Sequence, residues 1–118
     1  MEVRKLAVGE VVFTEGDPAD NAFILKSGKV KITVQVKDET PRTLLTVGPG
    51  SIFGEMALID DGPRTASVVV LEESEAMVIS QTEFEARLKK SDPVIGLLLK
   101  IYTDRLREQT AQLAGLLS

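Results

Sequence analysis

The 118-residue chain contains no cysteine and no histidine, and these two absences exclude a great deal. Without cysteine there is no disulfide framework, no thiolate metal site and no thiol nucleophile. Without histidine the commonest transition-metal ligand, the usual general base and a histidine-ligated haem are gone. Metal-dependent barrel enzymes that rely on several imidazoles are poor candidates, and no catalytic or metal-ligating constellation stands out among the remaining residues. A dense basic block is also missing: 14 Lys and Arg stand against 18 Asp and Glu, a net charge of −4. Nucleic-acid binders carry a basic face or stripe, so no direct contact with nucleic acid is expected. The longest apolar stretch, residues 94–99, is interrupted by Gly96 and falls far short of the ~20 residues of a membrane span. Met1-Glu2-Val3-Arg4-Lys5 leads into no signal-peptide core, and a cytoplasmic location is expected.

What remains, 43% apolar and 27% charged, is the composition of a globular protein. The length predicts one domain over residues 1–118. Short strands separated by turn chemistry fill the first two-thirds. Val11-Val12-Phe13 is closed by Gly16-Asp17-Pro18, and Phe23-Ile24-Leu25 is followed by Ser27-Gly28, which reads as a tight hairpin turn. Val30, Ile32, Val34 and Val36 alternate with Lys31, Thr33, Gln35 and Lys37, the period of a strand with one buried face. Further strands are expected at 43–47, 67–71 and 76–79, with strand-like sequence beginning near Glu10. This pattern predicts a mainly β fold, a small β-jelly roll (a double-stranded β-helix barrel) over about residues 9–80.

From residue 80 the period becomes helical, and C-terminal helices are expected over about 81–117. Ser80 with Glu83 forms a capping-box pattern opening a helix to about Lys90, and Asp92-Pro93 supplies a second start. Ile95, Leu99, Tyr102, Leu106, Gln109, Leu113 and Leu116 then follow heptad spacing. Such a stripe either packs on its own barrel or meets a partner helix, as in a homodimer.

Residues 53–68, Phe-Gly-Glu-Met-Ala-Leu-Ile-Asp-Asp-Gly-Pro-Arg-Thr-Ala-Ser-Val, hold the candidate chemistry. Gly54 permits close backbone approach, and Glu55, Met56, Ala57 and Leu58 can form one short cassette helix whose open N–H groups attract an anion. Nine residues after Glu55 comes Arg64, whose donor fork suits a phosphate. Thr65 and Ala66 bring small side chains and main-chain amides to the same place. A carboxylate and a guanidinium so placed suit a ligand with both hydroxyls and a phosphodiester. Equally, Glu55 and Arg64 could form an internal ion pair bracing a loop. Residues 51–70 carry three acids and one base, so long-range attraction of an anion is not built into this segment.

The segment strongly resembles the phosphate-binding cassette of the cyclic nucleotide-binding domain family. That pattern reads Phe-Gly-Glu-(Leu or Met)-Ala-Leu, a short turn, then Pro-Arg-(Ala, Thr or Ser)-Ala-(Thr or Ser)-Val, and residues 53–59 and 63–68 follow it throughout. Residues 16–20 and 23–30 also resemble the family's early strands, and the likeness runs over about 9–110. It implies a β-jelly roll flanked by helices, cAMP or cGMP as ligand and no other cofactor. By this resemblance Gly54 and Glu55 contact the ribose, while Arg64 with the Thr65 and Ala66 backbone contacts the cyclic phosphate. Met56 and Ala57 complete the cassette. The Thr65 hydroxyl either reads the guanine amino group or serves the phosphate alone. Leu44 and Val47 are expected against the base, with the helix from residue 93 as a lid. Gln109 and Thr110 sit where relatives of the catabolite activator type place polar base contacts, though Gln109 also reads as a polar seam residue.

Compared with the family, the helix usually found before the barrel is expected to be nearly missing, and the output that nucleotide binding would control is expected on a partner or, if the chain is a fragment, elsewhere in the same protein. The expectation is a regulatory module, not an enzyme, whose effector is not identified. Two rivals stand beside it: the sensory half of a dimeric transcription regulator, and a nucleotide-free interaction scaffold.

Overall fold

Two long strands organise the chain. The computed structural model describes residues 2–59 and 62–117, with side chains as far as Gln112. Six strands and three helices run in the order β1 (Glu2–Leu6), β2 (Val11–Phe13), β3 (Asn21–Val34), β4 (Arg42–Val47), β5 (Ile52–Phe53), α1 (Met56–Ile59), β6 (Ser67–Ser80), α2 (Gln81–Leu88) and α3 (Pro93–Leu117). β3 and β6, 14 residues each, pair antiparallel along their length. The first half of β3 pairs with β5 and the second half with β4. β6 divides likewise, pairing with β2 at its start and β1 at its end.

The result is two four-stranded faces that share the two long strands: β1-β6-β3-β5 and β2-β6-β3-β4. This is the expected jelly roll. The core lies between the faces. Leu6, Phe23, Leu25, Phe53, Ala76 and Val78 come from one, and Val30, Val68 and Val70 from the other, with Phe13, Ile32 and Val47 packed against them. The Phe23 and Phe53 rings stack at 5.2 Å between centroids.

Three expectations from the sequence are corrected here. Ser27-Gly28 is not a hairpin turn but a bulge inside β3, where the register slips on both sides. Gly28 has φ 93, and a Cβ there would collide with the Ser74 side chain and the Glu73 carbonyl. Second, 67–71 and 76–79 are one strand, because the exposed run Leu71-Glu72-Glu73 crosses the same bulge without leaving the ladder. The Ser74 hydroxyl, accepting from Lys29 N and donating to Glu72 O, supplies the bonds the irregular ladder drops. Third, the barrel begins at Glu2, not near residue 9. β1 pairs with 74–78, yet only Leu6 in it is buried, so it carries no alternation to read. A register shift between Ile32 and Thr33 also breaks the alternation in β3, burying Thr33.

The helices follow their capping signals. Glu83 N donates to Ser80 Oγ at 3.1 Å, and Val94 N donates to Asp92 Oδ1 at 2.9 Å. α3 lies against α1, and Gly96 faces the Leu88 side chain of α2. Its inward side runs through Gly96, Leu99, Thr103 and Arg107 to Thr110, with Thr103 buried. Of the heptad stripe, Ile95, Tyr102 and Leu106 are exposed and Leu99 is half-buried. A single chain therefore leaves most of the described stripe uncovered. The side chains of Leu113 and Leu116 lie outside the described residues, as do Asp60 and Asp61. No described helix is long and apolar enough to cross a membrane.

Candidate functional site

Arg64 precedes β6 and is 7% exposed, so every donor on its guanidinium has to be accounted for. The loop after β2 clamps its main chain: Gly16 N donates to Arg64 O at 2.8 Å, and Arg64 N donates to Asp17 O at 2.9 Å. Gly16 holds this turn at φ 90. Nη1 donates to the carbonyls of Asn21 (2.9 Å) and Gly54 (3.1 Å), and Nη2 to Asn21 Oδ1 at 2.6 Å. The guanidinium carbon sits 3.9 Å from the Phe13 ring centroid, a cation–π contact.

A guanidinium has five N–H donors. These bonds use three and leave Nε–H with one Nη2–H, the edge that suits two oxygens of one anion. Nε is buried and has no partner among the described residues. Buried donors of that kind are rare and call for an explanation. Burial lowers the Arg64 pKa, Asp20 and Asp17 raise it, and Arg107 lowers it. The group stays charged at any physiological pH.

Gly54 is required beside it. Its φ is 74, and a Cβ would lie 2.5 Å from Arg64 Nη1 and 3.0 Å from Phe13 Cε2. Glu55 follows, closing the α1 turn through its carbonyl, to which Leu58 N donates at 3.0 Å. Among the described residues no ion pair joins Glu55 to Arg64. Thr65 Oγ1 makes only a weak 4.0 Å contact to the Met56 sulfur.

These residues border one cavity of about 290 Å³. Gly54, Glu55, Met56, Ala57, Arg64, Thr65 and Ala66 form its cassette side, Leu44 and Val47 stand in its apolar wall, and Thr110 reaches it from α3. Gln109 does not reach it. That residue is exposed one position away, turned off the inward side by the ~100° per residue of the helix.

Several bordering residues were not singled out from the sequence: Phe13, Ile32, Leu45, Ile52, Phe53, Pro63, Val68 and Arg107. Asn21, which holds Arg64, also gave no local sign. Arg107 could have been found. Gly96, Leu99, Thr103, Arg107 and Thr110 recur every three or four residues, a small-to-polar stripe beside the apolar one. Among the described residues, the charged ones bordering the cavity are Glu55, Arg64 and Arg107. No group of three or more His, Cys, Asp or Glu that could hold a metal occurs among the described residues.

Comparison with known proteins converges on one family. The model for the cyclic nucleotide-binding domain matches residues 3–91. The CRP-like cAMP-activated global transcriptional regulator of Mycobacterium tuberculosis is 34% identical over 109 residues, 92% of this chain and 49% of that protein. The cAMP-dependent protein kinase regulatory subunit of Hypocrea atroviridis is 35% identical over 83% of this chain and 20% of its own length. Among solved structures, the cAMP-bound form of the EAL enzyme Bd1971 superposes with a TM-score of 0.87 at 34% identity, covering 96% of this chain and 30% of that one. The Thermus thermophilus catabolite activator protein superposes at 0.74 with 30% identity, covering 98% and 54%. The chain thus spans about half the length of the bacterial regulators it matches.

Proposed function

Because the chain belongs to the cyclic nucleotide-binding domain family, we propose that it is a regulatory sensor of cAMP or cGMP that catalyses nothing itself. The observation that carries this reading is Arg64. Three of its donors are spent on Asn21 and Gly54, and the remaining edge, with its unpartnered Nε, borders an apolar-walled cavity beside Glu55. In this reading the cyclic phosphate takes that edge and the amides of Thr65 and Ala66. Glu55 accepts the ribose 2′-hydroxyl, and the base lies on Leu44 and Val47 under Thr110. Ligand shifts the equilibrium toward the state in which α3 closes on the cassette, by its differential affinity for that state. Structure neighbours were solved with cAMP and with cGMP, in keeping with either base.

The uncovered stripe Ile95, Tyr102 and Leu106 supports a homodimer through α3. Likeness to the Mycobacterium and Thermus regulators over half their length favours a second reading, the sensory half of a transcription regulator. Calorimetric titration with cAMP and with cGMP tests the proposal. Absence of heat with both at millimolar ligand would overturn it and leave the scaffold reading.

A further inference from the structure

Phe13 enters the site from β2, and its direction is not the one that strand alternation gives. Val11 is exposed and pairs with Val69, so regular alternation would turn residue 13 outward as well. The register slips between them, and Phe13 pairs instead with Val68, which is buried. A bulge of this kind re-aims a side chain. Here it lays the Phe13 ring against both ends of the cassette. The Arg64 guanidinium carbon is 3.9 Å from the ring centroid, and a Cβ built on Gly54 would stand 3.0 Å from Phe13 Cε2 and 3.3 Å from Cζ. Phe23 and Phe53, both buried, back the ring at 6.1 and 6.3 Å between centroids and give it a fixed seat. We propose that Phe13 is a positioning residue: its π face sets the plane of the Arg64 guanidinium and thereby aims the Nε–Nη2 edge at the ligand's phosphate. The inference rests on the cavity being a cyclic nucleotide site.

Hydrogen bonds alone do not fix that plane. Nη1 and Nη2 donate to Asn21 and Gly54, so all three acceptors lie on one side of the group. A carbonyl oxygen accepts over a broad range of directions. The guanidinium can therefore tilt about the Nη1–Nη2 line, and such a tilt swings Nε away. A flat ring in contact with one face opposes the tilt in two ways. It blocks rotation toward itself, and the attraction between cation and quadrupole weakens as the group turns off the ring. Burial of Arg64 removes the water that would otherwise weaken this contact. A phenyl ring also has no lone pair with which to claim Nε–H. It orients the edge and leaves it unused, and Nε has no partner among the described residues. A polar side chain on the same face would compete with phosphate for that donor.

The test compares wild type, Phe13→Leu and a chain carrying meta-difluorinated phenylalanine at position 13, whose fluorines drain the π face while nearly keeping its shape. Calorimetry uses cAMP. Phe13→Leu is expected to weaken binding about tenfold, within the range of a desolvated cation–π contact, and the fluorinated ring about threefold. NMR relaxation of the Arg64 Nε–H gives a second reading on ligand-free protein. Its order parameter should be about 0.85 in wild type, as in rigid backbone, and under about 0.6 in Phe13→Leu. Binding of cAMP within about twofold of wild type in Phe13→Leu overturns the proposal. So does a fluorinated chain that binds as wild type does, since the ring would then only fill space. That variant decides alone if Phe13→Leu fails to fold. A wild type that binds neither cAMP nor cGMP sinks the parent reading instead. In that event the relaxation data decide the positioning role by themselves: it stands if Nε–H loses order in the variants, and falls if the order parameters are equal.

Discussion

Replacing Arg64 with lysine keeps the charge and removes the geometry, which makes it the sharpest probe of the site. The guanidinium reaches two main-chain carbonyls through Nη1 and the Asn21 side chain through Nη2, and still leaves its Nε–Nη2 edge unused. An ammonium has three donors on one atom and cannot span the same acceptors. At least one of the Asn21 and Gly54 carbonyls is then left without its donor, at a cost of about 1–3 kcal/mol for a buried group. The planar stack on Phe13 at 3.9 Å also weakens. For a domain of this size the midpoint of thermal unfolding should fall by about 5–15 °C. Loss of one charge-assisted bond to phosphate removes about 1.5–3 kcal/mol of binding, roughly ten- to a hundredfold in Kd. Thermal unfolding followed by circular dichroism and calorimetric titration with cAMP read the two effects on one sample. An Arg64→Lys variant that binds within threefold of wild type would show that charge alone recruits the phosphate. An unchanged midpoint would show that the three anchoring bonds contribute nothing net.

Other perturbations test separate links. Thr65→Ala should lower cGMP affinity by about 0.5–1.5 kcal/mol, the net worth of one hydrogen bond, and leave cAMP nearly unchanged. Equal losses in paired titrations would assign the hydroxyl to the phosphate. Leu106→Asp changes an exposed position, so it should leave the monomer's stability unaltered but abolish dimers in sedimentation equilibrium. A wild type that stays monomeric at high micromolar concentration, with and without nucleotide, refutes the α3 interface. Gly28→Ala combines left-handed strain of about 1–2 kcal/mol with a collision against Ser74 and Glu73. Urea unfolding should show a loss of at least about 2 kcal/mol, and an unaltered midpoint would mean that the bulge relaxes freely.

The sequence by itself determined the features whose physics is local. Ser80 with Glu83 and Asp92 with Pro93 start helices because a cap needs only residues three or fewer positions away. The alternation from Val30 marked a half-buried strand, and the cassette at 53–68 stood out as an unbroken motif pointing to a jelly roll. Only the tertiary structure decided what depends on partners distant along the chain. Ser27-Gly28 has turn composition, but Ser74 opposite it makes the ladder continue through a bulge. β1 lacks alternation because residues 2–5 are exposed on both of its faces, and its pairing partners are residues 74–78. Glu55 and Arg64 are close in sequence, yet the guanidinium is anchored by Asn21, on β3 and 43 residues away. Within residues 51–70 acids outnumber bases, but Coulomb energy depends on distance in space, and folding sets Arg107 of α3 against the Pro63 carbonyl.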